Sequence, residues 1–403
     1  MKKNFESKIF SLFYLCYFAS MGGFLPYINQ YLQTNLGLTG KQLGIFTFTT
    51  LIISVLIAPY WGVIGDKTKK YKLLLLISLS ASLIAAFNYS MQVGYVAVII
   101  SGVILELCRS GSIPMSDVQA VNYASKYNAN YGSIRSMGSL GYVIGSLAVG
   151  FFVKANDYSP IFTVYMVLLF LCIFLAFGFP KTDIQVVETE EEEKEKETEK
   201  KESSIKLVLK NKKFLFIASI SLLTGILMDS ANGYAAIHMV STLNGAANSA
   251  SIFTFVTALP EILLLGIIGK AFSKYGYKKI YFINALVLIV RYIAYALAPN
   301  YIIFLLFSVL HCITVACSTV GNLSYLKHSV DENAYATAVT LNTATISIGR
   351  AIYSLLFGYM LDLTGSRSIF IFSAVFMGIA AIVISRSKFF HDIDTEVMVE
   401  NNA

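Results

Sequence analysis

An all-α membrane protein is the fold class that this sequence predicts, with twelve transmembrane helices grouped as two six-helix bundles. Three observations carry the prediction. Of 403 residues, 56% are hydrophobic and only 14% are Asp, Glu, Lys or Arg, whereas a soluble domain is about a quarter charged. Apolar runs long enough to cross ~30 Å of hydrocarbon follow one another along the whole chain. The two halves also echo each other at a spacing of about 204 residues. With a mean hydropathy of +0.65, this composition excludes a disordered chain, a disulfide-built secreted module and an ordinary cytosolic enzyme.

Taken in order, the apolar runs fall near 9–31, 43–65, 73–92, 95–118, 134–153 and 159–179, then near 214–240, 249–271, 280–298, 301–324, 335–361 and 368–386. Backbone amides in lipid must be satisfied within their own segment, so each run is expected to be a helix. The first is too long for the ~7–15-residue core of a signal peptide and is read as a retained span. Charge sets the direction. With the N-terminus inside, the outward loops hold three basic residues, Lys41, Lys154 and Arg367, against 24 in the inward loops and termini. The positive-inside rule therefore predicts that both ends are cytoplasmic. The net charge of +7 reflects this sidedness, and no nucleic-acid partner is expected.

Four regions follow: an N-terminal bundle over 1–180, a charged cytoplasmic linker over 181–213, a C-terminal bundle over 214–388 and a tail over 389–403. The linker carries ETEEEEKEKETEKKE at 188–202, a mixed-sign run without an apolar stripe, suited to a solvated connection. Cys16, Cys108, Cys172, Cys312 and Cys317 are odd in number and lack ligand spacing, so they read as core residues, with no metal or cofactor implied. The repeat shows as GVIGDK at 62–67 against GIIGKA at 266–271, and as Tyr131 and Gly145 against Tyr335 and Gly349. Six spans per half make the halves parallel in the membrane, the arrangement of transporters that work by alternating access.

The string Pro59-Tyr60-Trp61-Gly62-Val63-Ile64-Gly65-Asp66-Lys67-Thr68-Lys69-Lys70 resembles the loop motif of the major facilitator superfamily. Gly62 and Gly65 are expected to permit close helix approach, and Asp66 with Lys67 to latch one conformation; Lys69 stands where the family usually has a second Gly. The string Tyr131-Gly132-Ser133-Ile134-Arg135-Ser136-Met137-Gly138-Ser139-Leu140-Gly141-Tyr142 is similar to the fifth helix of the branch containing lactose permease, nucleoside:proton symporters and phenylpropionate permeases. Asp117 precedes Arg135 by 18 residues, the spacing of the acid and arginine that hold the sugar in lactose permease. The resemblance covers nearly the whole chain and implies the major facilitator fold.

Ionisable residues inside the spans are Glu106, Arg109, Asp229, His238, Glu261, Arg291, His311 and Arg350. Each Arg or Asp at mid-bilayer costs on the order of 2.5–3.5 kcal/mol on the insertion scale, so these groups are expected to pair and to face a wet cavity. Glu106 and Arg109, three apart, can neutralise each other. His238, near the outer end of its span, reads as a wetted interfacial residue. By the resemblance, Glu261, Arg291 and His311 match the branch's Glu, Arg and His and would couple the proton. Asp117, Arg135 and Tyr142, with Asp229, Asn232 and Arg350, would bind the solute.

The expectation is a multi-pass cell-membrane transporter, monomeric, taking up a small polar solute such as a sugar, oligosaccharide or nucleoside together with H+. The coupling needs a carboxylate that keeps its proton while its arginine is elsewhere and releases it when the arginine returns. Thr314 stands where lactose permease has its proton-carrying acid, which keeps sodium coupling and facilitated diffusion open. An exporter of drugs or metabolites and an aromatic-acid permease are the alternatives. Neither a zinc-ligand pair nor a Gly-x-Ser-x-Gly elbow nor a phosphate-cradling loop is present, and no enzyme is expected.

Overall fold

A computed structural model describes residues 2–127, 129–180 and 205–390. The charged run 188–202 and most of the tail lie outside them. The described chain is helical and runs as twelve rods. The first rod is α1 (Lys2–Phe24) with α2 (Ile28–Thr34), broken at Leu25-Pro26-Tyr27, where proline supplies no N–H. There follow α3 (Gly40–Thr68), α4 (Tyr71–Ser90), a fourth rod made of α5 (Tyr95–Arg109) and α6 (Ser112–Tyr127), then α7 (Tyr131–Gly150) and α8 (Pro160–Phe177). The second set is α9 (Lys212–Ser241), α10 (Ser249–Tyr275), α11 (Tyr277–Leu297), a tenth rod made of α12 (Tyr301–Ser308) and α13 (His311–Ser329), α14 (Glu332–Thr364) and α15 (Ser366–Arg386).

Nine candidate spans pass a test of length and apolarity among the described residues. The rods outside that set are α7, α9 and α10. In α7 the run of Gly and Ser lowers the mean hydropathy while leaving 20 helical residues. Large apolar side chains are exposed at helical spacing, as at Val167, Phe170, Leu171, Phe174 and Phe177 of α8 and Ile371, Val375, Ile379 and Ile382 of α15. Water would not tolerate such stripes on a monomer, but acyl chains do.

The chain forms two compact units, Met1–Gln185 with Ala235–Phe255 and Ser354–Asp362, and Val186–Tyr234 with Val256–Tyr353 and Leu363–Ala403. In the first unit α1 and α7 cross backbone to backbone. A Cβ on Gly141 or Gly145 would lie 2.1 or 1.9 Å from the carbonyl oxygens of Leu15 and Ala19, and one on Gly22 would lie 1.9 Å from that of Tyr142. Small residues thus do in this rod pair what they do in other membrane helix pairs. Beside the crossing, Phe24, Tyr89, Phe162 and Tyr165 pack ring against ring. His238 is fully buried in this unit, a correction to the wetted position expected from its place near a span end: the segment that carries it is packed into the unit. The second unit has its own aromatic core, in which Phe272, Tyr277, Tyr281, Tyr325 and Phe390 meet.

Candidate functional site

In the first unit, α6 and α7 bring Asp117 and Arg135 together, with Arg135 Nε 3.9 Å from Asp117 Oδ1. Tyr14 of α1 donates its hydroxyl to the same carboxylate oxygen at 2.5 Å. The guanidinium lies over the rings of Phe18 and Tyr14, 4.2 and 5.5 Å from their centroids. Both charged side chains are about one-third exposed, so they remain reachable by a solute. A carboxylate that accepts, a planar fork that donates and two aromatic faces form a set able to hold hydroxyls around a ring. Tyr142 is half-buried on α7, while the rings that meet Arg135 come from α1. Tyr14 and Phe18 were missed in the sequence, where only their i, i+4 spacing marks them among 29 Phe and 25 Tyr.

The second unit assembles a different chemistry. Arg291 of α11 is fully buried. Its Nε donates to Tyr295 Oη at 2.9 Å and its Nη2 to Asn232 Oδ1 of α9 at 2.6 Å, while Nη1 lies 3.1 Å from His311 Nδ1. A guanidinium can only donate, so Nδ1 is the acceptor at this 3.1 Å contact and the imidazole proton is assigned to Nε2, which leaves the Asn232 amide NH2, a donor 3.5 Å from Nε2, without a hydrogen bond to it. Tyr295 in turn donates to Ser308 at 2.8 Å. His311 opens α13 directly after the break in the tenth rod. Asn232, read from sequence as a solute ligand, thus belongs with the arginine and histidine. Glu261 is half-buried on α10, and Arg350 half-buried on α14. The side chain of Asp229 lies outside the described residues.

The fourth rod is interrupted as well, between Arg109 and Ser112. Carbonyls near the break are met by side chains from neighbouring helices: Leu107 by Trp61 Nε1 at 3.0 Å, Cys108 by Ser78 Oγ at 2.6 Å and Arg109 by Tyr17 Oη at 3.5 Å. Such a break is tolerated at membrane depth because the protein satisfies the backbone. Glu106 and Arg109 pair here, with Arg109 Nε 2.8 Å from Glu106 Oε2 and Nη2 on the same oxygen.

At the predicted latch, Asp66 and Lys67 are exposed and Asp66 accepts from Tyr71 Oη at 2.7 Å. Gly62 does not provide a close approach, since a Cβ there would meet nothing within 4 Å; Gly65 does, with Tyr71 and Met115 at 2.9 and 3.0 Å.

Comparison with known proteins decides the family. The profile of the MFS_1 like family matches residues 8–372. The chain belongs to that family. It is therefore a secondary transporter of the major facilitator superfamily, a multi-pass membrane protein and not an enzyme. The maltose permease of Geobacillus stearothermophilus is 24% identical over 378 residues, 93% of each chain. The sucrose permease of Escherichia coli is 24% identical over 382 residues, 88% of each chain. The crystal structure of the nucleoside transporter NupG has the same fold, with a TM-score of 0.82 at 14% identity over 95% of this chain and 100% of that one.

Proposed function

We propose that this family member imports a small hydroxylated solute, a sugar or short oligosaccharide or else a nucleoside, together with H+ by alternating access, with both termini cytoplasmic. The observation that carries the reading is the Asp117–Arg135 pair seated on Tyr14 and Phe18. Its donors, acceptors and ring faces suit a polyol ring better than a purely apolar drug. Similarity to maltose and sucrose permeases over most of the chain supports the sugar side of the choice. The Arg291–His311–Asn232 network supports a coupling role for the second unit. Arg291 holds its place through neutral partners there, and Glu261 is the acid assigned to carry the proton past it.

Proteoliposomes test this directly. Uptake of saccharides, nucleosides and aromatic acids is measured with internal pH recorded. Sugar or nucleoside uptake that rises with an inward proton gradient and acidifies the lumen is expected. Glu261→Gln should abolish uphill accumulation while sparing exchange. Accumulation unchanged in that variant removes Glu261 as carrier, and export driven by the same gradient overturns the import reading.

A further inference from the structure

At one end of the second unit α10 passes into α11 through Gly276, and α15, which packs along α11, ends beside them. An open cleft of about 290 Å³ lies there, lined by Tyr275, Lys278, Lys279, Phe282 and Ser385. The ammonium groups of Lys274 and Lys279 both come over the Tyr275 ring, 5.1 and 5.2 Å from its centroid. Arg386 and Lys388, both exposed, follow Ser385 within three residues. The chain has no Asp or Glu between Glu261 and Asp331, or between Asp362 and Asp392, so the segments that build the cleft supply no carboxylate to it. Like charges gathered at one ring repel each other, and an anion seated among them turns that repulsion into attraction. Away from the cleft the surface becomes apolar. Steps of four residues lead from Lys278 through Phe282 to Leu286 and Val290 along one face of α11. Leu286 and Val290 are exposed, as are Ile382, Ile379 and Val375 of α15.

From this geometry we infer that the cleft seats the phosphate headgroup of one anionic phospholipid, whose acyl chains lie along the seam between α11 and α15. The inference is independent of the solute and of the coupling ion. Position favours a lipid: the cleft opens where membrane-spanning rods end, the level of the headgroups, and basic pockets between such helices suit anionic headgroups. An exposed tyrosine at that level is where amphipathic rings collect. Size agrees. The volume is just below the roughly 300–1,000 Å³ of pockets that enclose a drug-sized ligand, room for a phosphate with its glycerol and not for the chains. The exposed stripes of α11 and α15 take the chains instead. A soluble phosphate would use the basic mouth alone and leave that seam without a role. Seated there, the lipid ties the ends of α10, α11 and α15 together.

Native mass spectrometry of the full-length protein in detergent tests this, with dioleoyl phosphatidylglycerol and dioleoyl phosphatidylcholine as the probes. One phosphatidylglycerol should bind about tenfold or more tighter than phosphatidylcholine, since each basic side chain near an anionic headgroup contributes about fivefold. Lys274→Gln combined with Lys279→Gln should erase most of that preference. Lys206→Gln combined with Lys210→Gln removes the same charge from exposed side chains outside the cleft and should change it less than about twofold. Ser385→Phe fills the cleft from an exposed position with every lysine in place, and should lower phosphatidylglycerol affinity about fivefold. Equal binding of the two lipids by the unmodified protein overturns the site. Equal losses in the two lysine pairs, or a Ser385→Phe variant that binds like the parent, reduce it to diffuse surface charge and overturn it as well. Glycerol 3-phosphate, the headgroup without its chains, should not displace the lipid; displacement would make this a site for soluble phosphates and overturn the lipid.

Discussion

Replacing Gly358 by alanine should destabilise the protein, and the same replacement at Gly378 should not. Within the first unit the C-terminal part of α14 lies on the start of α3 without an intervening side chain. A Cβ on Gly358 would sit 2.3 Å from Gly40 O and 2.8 Å from Gly44 Cα, and one on Gly44 would sit 2.6 Å from Ser354 O. Carbon contacts settle near 3.5–4.0 Å, so the added methyl requires α3 and α14 to part by about 1 Å. That movement also strains the cap of α3, where Asp362 Oδ1 accepts from Gly40 N at 2.5 Å and Oδ2 from Lys41 N at 2.7 Å. Lengthened to about 3.5 and 3.7 Å, the first bond is left at the limit of hydrogen bonding and the second beyond it. Overpacking costs typically 1–3 kcal/mol, and loss of a carboxylate at an exposed helix N-terminus about 0.3–1 kcal/mol. Against these, alanine gains roughly 0.5–1 kcal/mol over glycine within a helix. The net is a loss of about 1–3 kcal/mol. At Gly378 of α15 a Cβ would meet nothing within 4 Å, so only the propensity gain remains. Melting of the two purified variants in detergent is the assay. Gly358→Ala should melt a few degrees below the parent and Gly378→Ala at or above it; equal melting temperatures would refute the backbone contact.

Other outcomes follow from single contacts. Arg135→Lys swaps a planar fork resting on Phe18 and Tyr14 for a point charge and should weaken solute binding about tenfold, roughly 1.4 kcal/mol, as read by titration calorimetry; unaltered affinity would clear Arg135 from the site. Asn232→Ala leaves the Nη2 donor of a fully buried arginine without its 2.6 Å acceptor and should cost about 1.5–3 kcal/mol in thermal or denaturant unfolding, whereas a near-neutral result would place water or another group there. In the loop after α7, the hydroxyl and backbone N–H of Ser159 chiefly, aided by Asn35 and Lys154, hold the Asp157 carboxyl below its ordinary 3.8. A lowered folded value stabilises the protein above the unfolded one and is lost as pH falls through the folded one. Asp157→Asn should therefore lower the melting temperature at pH 7, with a gap to the parent that narrows as pH falls below 3.8, and a gap that stays constant there would contradict the assignment.

The rods were legible because a hydrocarbon core demands some twenty apolar residues in a row, a signal that survives any detail of packing. The first break carries Pro26, yet the sequence predicts that span unbroken over 9–31. The breaks at Ser110-Gly111 and at Val309-Leu310 were not legible, because the chain there stays as apolar or as small as its surroundings and only the side chains that meet the freed carbonyls reveal them. Asp117 and Arg135 were marked by the resemblance to the lactose-permease branch; Tyr14 and Phe18 were not, since an aromatic under a guanidinium and an aromatic in a core have the same sequence. His238 shows the opposite error. Position along a span gives depth in the membrane but not which face is covered, and this histidine is fully buried. At the loop motif, the first Gly of the pair is open while the second is crowded by Tyr71 and Met115, a distinction that motif spacing does not carry.

The interruptions of the fourth and tenth rods show how a repeated fold came to hold unequal chemistry. Both occur at corresponding places in the two halves, and each sets a charged or titratable side chain beside freed backbone: Arg109 just before the first, His311 just after the second. Breaking a helix at membrane depth exposes several carbonyls that would each cost on the order of kcal/mol in lipid. In the first half side chains from neighbouring rods meet them, Trp61, Ser78 and Tyr17; in the second, Thr314 of the same rod donates to His311 O, and Tyr295 of the ninth rod donates to the Ser308 hydroxyl beside the break. Once such side chains are recruited, the surroundings of the break are polar enough to hold an ion pair in one half and an arginine–histidine contact in the other. The arginines themselves bond side chains and not the freed carbonyls: Arg109 bonds Glu106 and Met21, and Arg291, on the unbroken ninth rod, bonds Tyr295, Asn232 and His311. In the second half the break thus sets His311 beside the arginine that the proposed coupling uses, whereas in the first it lies next to a neutralised pair and the solute is assigned to Asp117 and Arg135 further along the same stretch of chain.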